Sequence, residues 1–158
     1  MYKASIIITS DRAAAGIYND ETGPVIRELL CKAGYETDDI TVIPDEQELI
    51  EKTLLENCKN GVQLIVTAGG TGFSPRDLTP EATKAIIERE APGISEYMRQ
   101  RSMELTPRGM LSRGVAGIRG NSLIINLPGS PKAAKENLGF ILPHLEHGLD
   151  MLCGKKEE

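Results

Sequence analysis

Four short apolar runs, each leading into a polar loop and then a stretch of helical periodicity, limit what this chain can fold into. They are Ile6-Ile7-Ile8-Thr9, Ile40-Thr41-Val42-Ile43, Leu64-Ile65-Val66-Thr67-Ala68 and Leu123-Ile124-Ile125-Asn126-Leu127. All are shorter than a helix needs and rich in β-branched residues, which reads as buried strands. After the first, Pro24 stands near the start of a helix whose Val25, Ile26, Leu29, Leu30 and Ala33 share a face, and Gly34 stops it. After the second, Leu49, Ile50, Leu54 and Cys58 mark a helix closed near Asn60-Gly61. After the third, a helix from Pro80 turns Ala82, Ile86 and Ile87 inward, and Pro92-Gly93 is expected to break it. Ile94, Tyr97 and Met98 predict another helix that ends before Pro107, whereas the segment from Arg108 to Gly120 has no clear pattern. After the fourth run, Ala134, Leu138, Ile141, Leu142, Leu145, Leu149 and Leu152 predict a long last helix, with Pro143 expected to kink or split it.

Strands alternating with helices form right-handed βαβ units. The expectation is an α/β fold, doubly wound, with a mainly parallel sheet and helices on both faces. It forms a single domain over residues 1–154, with a charged, frayed tail at 155–158. A chain of 158 residues has the size of one domain. Three widely spaced cysteines, Cys31, Cys58 and Cys153, with no Cys-x-x-Cys pair, read as reduced packing residues. No signal-peptide pattern opens the chain and no apolar stretch approaches the ~20 residues needed to span a bilayer. A net charge of −5, with Trp absent, argues against nucleic-acid binding. A cytoplasmic protein without membrane contact is the expectation.

In a parallel sheet every strand-following loop opens at the same edge, where ligands bind in such folds. Here those loops carry Ser10-Asp11-Arg12, Pro44-Asp45-Glu46, Gly69 to Asp77, and Pro128-Gly129-Ser130. Gly69-Gly70-Thr71-Gly72 lets a ligand approach the main chain with no Cβ in the way. Thr79-Pro80 beyond it reads as a cap followed by a first-turn proline, and Ser130-Pro131 repeats the arrangement. A glycine loop running into a helix start presents N–H groups to an anion, most often phosphate. Asp45 and Asp77 lie on different loops of that edge. Converging beside a phosphate they can hold Mg²⁺ or position the attacking group; taken singly, each can be a helix cap. Arg76 offers a rigid donor fork to phosphate, or a surface ion pair with Asp77. Ser130 offers a hydroxyl and N–H groups to a second anion, or a plain cap.

From Arg99 to Arg119 five arginines (Arg99, Arg101, Arg108, Arg113 and Arg119) face one acid, Glu104. The stretch can steer an anionic substrate, or form a solvated face or subunit contact. His144 and His147 have no third ligand near them in sequence, so they read as surface or packing residues and no metal site is assigned.

These motifs carry a resemblance. Ser10-Asp11-Arg12 with Gly16, Ile43-Pro44-Asp45-Glu46, Gly69-Gly70-Thr71-Gly72 with Arg76-Asp77-Leu78-Thr79-Pro80-Glu81-Ala82, Ser112-Arg113 through Gly117-Ile118-Arg119, and Asn126-Leu127-Pro128-Gly129-Ser130-Pro131 span almost the whole chain. In that order they resemble the molybdopterin adenylyltransferases of molybdenum cofactor biosynthesis, the family that includes bacterial MogA and the G domains of gephyrin. The resemblance implies a homotrimer that transfers AMP from Mg-ATP to the terminal phosphate of molybdopterin and releases pyrophosphate. A molybdate insertase partner then receives the product. The resemblance puts the key acidic positions at Asp45 and Asp77. Ser10, Asp11, Gly69, Gly70, Thr71, Gly72, Arg76, Pro128, Gly129 and Ser130 become the nucleotide- and pterin-phosphate-binding candidates, with Mg²⁺ as cofactor and ATP as co-substrate. The short chain resembles the MoaB type in length. That keeps a second reading open, a molybdopterin-binding or scaffold module without turnover. A Rossmann dinucleotide site does not fit, because the glycine loop lacks the Gly-x-Gly-x-x-Gly spacing and follows the wrong strand.

Overall fold

The computed structural model describes residues 1–155. Its centre is a seven-stranded sheet built on β1 (Lys3–Thr9), β4 (Leu64–Ala68) and β7 (Ser122–Leu127), which are parallel neighbours in that order. β2 (Glu36–Thr37) and β3 (Thr41–Ile43) share the free edge of β1, one at each end of it. On the far side β6 (Ala116–Arg119) pairs antiparallel with β7, and β5 (Arg89–Glu90) pairs antiparallel with β6 at the edge. The second expected strand is thus shorter than Ile40 to Ile43. β2, β5 and β6 had no pattern of their own to announce them.

Strand side chains alternate between two cores. Ile6 and Ile8 of β1, Leu64 and Val66 of β4, and Leu123 and Ile125 of β7 point to the face covered by α2 (Thr22–Lys32), α5 (Pro92–Leu105) and α6 (Pro131–Leu152). Ile7, Ile65 and Ile124 point to the other, under α3 (Gln47–Lys59) and α4 (Thr79–Ile86). Near its carboxyl end that second face turns polar. Buried Asn126 donates to Thr67 and Thr83 at 3.0 Å each and accepts from the Val115 N–H at 3.1 Å. The doubly wound, helix-covered sheet is as expected.

Four local expectations change. Pro92 starts α5 instead of breaking α4, because a first-turn residue needs no N–H; α4 has already ended at Ile86. Pro143 does not split α6, whose buried Leu138, Ile141, Leu145 and Leu149 keep the helix on the sheet on both sides of it. Residues 107–120 resolve into a 3-10 turn at Pro107–Leu111, a loop and β6. Lys155 is not frayed: its N–H donates to Asp150 O at 2.8 Å and its ammonium lies 4.3 Å from the Tyr2 ring centroid. The rest of the expected tail, 156–158, lies outside the described residues. No helix among those described is long and apolar enough to cross a membrane.

Candidate active site

β1 leads one way in the sheet, to β2 and β3, and β4 leads the other, to β7. The crevice between β1 and β4 at their carboxyl ends is therefore a topological switch point, the place where such sheets bind ligands. The glycine loop closes it. Gly69 and Gly70 have φ of 103° and 66°, left-handed values that side chains resist. A Cβ on Gly69 would sit 2.3 Å from the Thr9 carbonyl oxygen, and one on Gly70 2.3 Å from Thr79 Oγ1. Glycine is required at both by space as well as by torsion.

Thr79 does not cap α4, as its place before Pro80 suggested. Leu78 takes the cap position and Thr79 is fully buried, 3.1 Å from Thr9 Oγ1, while its N–H donates to Gly70 O at 3.2 Å. The hydroxyl pair beneath the loop joins the end of β1 to the start of α4. The loop after β7 reaches the same spot: Gly69 N–H donates to Leu127 O at 3.2 Å, and a Cβ on Gly129 would lie 3.2 Å from Gly69 Cα. Thr22, at the start of α2, donates to Gly129 O at 2.7 Å.

The carboxylates lie over this turn. Asp11 and Asp45 exchange bonds: the N–H of each donates to the carboxylate of the other at 2.9 Å. Arg76 reaches across the chain to Asp11, Nε to Oδ2 and Nη2 to Oδ1 at 2.9 Å each, and does not pair with its neighbour Asp77. That fork and the Asp45 N–H hold Asp11 below the usual carboxylate range. Asp45 goes the other way. Burial pushes its carboxyl up, the bond from the Asp11 N–H opposes this, and the charges of Asp11 and Asp77 add to the rise. Its Oδ1 is buried without a hydrogen-bond partner. Asp77 accepts the Ser74 N–H at 3.0 Å, and its carboxylate oxygen lies 2.9 Å from where a Cβ on Gly72 would be.

Ser10 and Ser130 are both helix caps. Ser10 Oγ accepts from Ala13 N–H, and Ser130 Oγ from Ala133 N–H, at 3.2 Å each. Next to Pro128 lies a cavity of about 200 Å³ between α5, the 3-10 turn and the start of α6. Ser95, Arg99, Arg108, Ser112 and Asn137 are among the residues lining it. Ser95 Oγ is buried there without a partner, and Arg99 donates to Gly114 O at 2.8 Å. Sequence reasoning passed over Ser95 and Asn137 entirely, since a serine and an asparagine inside a helix carry no signal. Arg113 and Arg119 point inward, to the glycine loop and to the Ile86 carbonyl.

A family model described as a probable molybdopterin binding domain matches residues 5–147. The chain belongs to this family. Among its relatives, a molybdopterin adenylyltransferase of Helicobacter pylori is 42% identical over 157 residues, covering 94% of this chain and 86% of that protein. The gephyrin of Dictyostelium discoideum is also 42% identical, but this chain spans only 22% of its length. Among solved structures, the molybdopterin biosynthesis enzyme MoaB of Thermus thermophilus superposes with a TM-score of 0.93 at 45% identity, covering 100% of both chains. The tungsten cofactor synthesizing protein MoaB of Pyrococcus furiosus gives 0.89 at 33% identity, covering 99% of this chain and 98% of that one.

Among the described residues no three His, Cys, Asp or Glu side chains stand together to hold an ion. His144 packs edge-on against Tyr97. The unpartnered Asp45 oxygen does fit Mg²⁺ carried in on phosphates, a hard ion that takes one or two carboxylates and keeps its waters.

Proposed function

We propose that this chain is a molybdopterin adenylyltransferase of molybdenum cofactor biosynthesis. It transfers AMP from ATP to the terminal phosphate of molybdopterin. The observation that carries this reading is the buried, unpartnered Oδ1 of Asp45, on a loop clasped to that of Asp11 at the sheet edge that also carries the Gly69-Gly70 turn. A carboxylate oxygen left without a partner at such a place is costly unless a cation or substrate proton completes it. Relatives that carry the adenylyltransferase name at 42–46% identity support the same reading.

In the reaction a phosphate oxygen of molybdopterin attacks the α-phosphorus of ATP. The new P–O bond forms as the bond to the β-phosphate oxygen breaks, and pyrophosphate leaves with its electron pair. Catalysis of this kind is positioning plus electrostatic stabilisation. The Gly69 to Gly72 main chain admits the nucleotide phosphates closely. Asp45 and Asp77 are the residues that hold Mg²⁺, which supplies charge neutralisation when bound with the nucleotide. Arg76, fixed by Asp11, puts a permanent positive charge beside the phosphates. Arg99 and Arg108, in the cavity beside Pro128, suit the anionic end of the pterin. The protein works as a cytoplasmic homotrimer and passes adenylyl-molybdopterin to a molybdate insertase; these points rest on the family resemblance.

The test is a single-turnover assay of pyrophosphate release with Mg-ATP and molybdopterin, with Asp45→Ala and Asp77→Ala beside the wild type. Release that needs pterin and Mg²⁺ and collapses in both variants is the expected result. Tight pterin binding without release, unaffected by either substitution, leaves a binding module in place of an enzyme.

A further inference from the structure

We infer that Arg113 is a positioning residue that sets the Asp77-bearing loop for the reaction, and does so from the wall of the neighbouring cavity. The inference rests on the adenylyltransferase reading for its kinetic part.

Arg113 belongs to the basic stretch that looked suited to steering, yet its donors all turn inward. Nε donates to Gly72 O and Nη2 to Asp77 O at 2.8 Å each, while Nη1 and Nη2 grip the two Glu81 oxygens at 2.9 Å. Its own N–H donates to Thr71 O at 2.8 Å. One side chain therefore ties both ends of the 72–77 segment to the first turn of α4.

Among the described residues, besides Arg113, only the exposed Arg76–Asp11 pair ties that segment to another part of the fold. Phe73 is 71% exposed, Ser74, Pro75 and Arg76 are exposed as well, and the bonds within it are local ones between Ser74 and Asp77 or Arg76. Within the loop the Ser74 N–H orients the Asp77 carboxylate. The guanidinium places the loop itself, through two carbonyls that an exposed segment otherwise gives to water.

The chain neighbours of Arg113 make the second half of the argument. Ser112 and Gly114 line the cavity beside Pro128, and Arg99 holds their carbonyls at 3.4 and 2.8 Å. The wall of the cavity and the loop of Asp77 are thus built on one three-residue frame. An ammonium cannot span two carbonyls and a carboxylate in a plane, so lysine is not a conservative replacement here.

The experiment compares Arg113→Lys and Glu81→Gln with the wild type in steady-state kinetics and in amide hydrogen exchange over 72–77. Arg113→Lys is expected to lower kcat about 100-fold, the cost of a misplaced catalytic group, with both KM values within about threefold. Exchange over 72–77 should quicken at least about tenfold in that variant. Glu81→Gln keeps the carbonyl contacts of Arg113 and should leave kcat within about threefold of wild type. Wild-type kcat in Arg113→Lys overturns the inference. So does a rise in KM at unchanged kcat, which would mean substrate contact or steering, and so does faster exchange spread evenly over the whole chain. A wild type that releases no pyrophosphate sinks the adenylyltransferase reading alone. Arg113 is then judged on exchange over 72–77, and equal exchange in Arg113→Lys and wild type overturns it.

Discussion

Asp11 and Asp45, 34 residues apart, clasp each other's backbone: each accepts the other's N–H at 2.9 Å. Two acidic side chains are thereby held side by side, each accepting one main-chain N–H. Asp11 also receives the Arg76 fork, while one oxygen of Asp45 remains unpartnered. On the proposed function the asymmetry gives the two residues different tasks: Asp11 orders the loops and Asp45 faces the chemistry.

For Arg76→Ala the expected outcome is a large loss in kcat/KM for Mg-ATP and little change in melting temperature. The pair it makes with Asp11 is exposed at both ends, and such pairs contribute little to folding. Thermal unfolding beside initial rates checks this; a marked drop in melting temperature with normal rates would make Arg76 a structural residue.

Asp45 has a carboxyl raised above its ordinary 3.8, chiefly by burial. The ionised form is the one that can hold a cation, so the acid limb of kcat/KM should lie above the ordinary aspartate range. Asp45→Asn should abolish most activity and leave a residual rate that no longer shows this limb. The same shift raises proton affinity in the folded state, so its stabilising contribution is present below the unfolded value and fades as pH rises through the folded one. A pH–rate profile of both proteins decides the kinetic point.

Gly70→Ala places a methyl 2.3 Å from Thr79 Oγ1 at a φ of 66°. Left-handed strain and overpacking together should cost about 3 kcal/mol. In a chain of this length that lowers the melting temperature by roughly 6–12 °C. Calorimetry measures it; an unchanged melting temperature would show that the loop relaxes freely.

The two-pronged bond from Arg113 holds Glu81 below its ordinary 4.5. The folded value lies under the unfolded one, so the ionised carboxylate stabilises the fold above pH 4.5 and that contribution drains away as pH falls through the depressed value. Melting curves from pH 6 down to about pH 3 should therefore fall less steeply for Glu81→Gln than for wild type. Parallel curves would deny the pair any role in folding.

Much of this was legible in the residues. The β-branched runs that became β1, β4 and β7 were clear, because strands buried on both faces must be apolar throughout. Gly34 and Gly61 ended helices as expected, each with φ above 70°. The carboxyl edge was legible too, since parallel connection alone sends every strand-following loop there. By contrast β2, β5 and β6 are short strands near or at the sheet's edges, whose pairing is decided by their neighbours β1, β6 and β7 rather than by their own composition. The partner of Arg76 was not legible, for a related reason. Its chain neighbour Asp77 lay near in sequence, but the backbone turn aims the guanidinium at Asp11.

The sequence by itself determined the alternation of elements, the sheet edge that carries the polar loops, and which glycines and carboxylates gather there. These follow from local periodicity, backbone torsion and the handedness of chain connections. Only the tertiary structure decided which donors meet which acceptors. It turned Thr79 from a cap into a buried partner of Thr9, Arg113 from a steering charge into a loop clamp, and left Asp45 with an oxygen that nothing in the chain satisfies. Hydrogen bonds act over about 3 Å, and residues far apart in the chain come that close only after the sheet has brought their loops together.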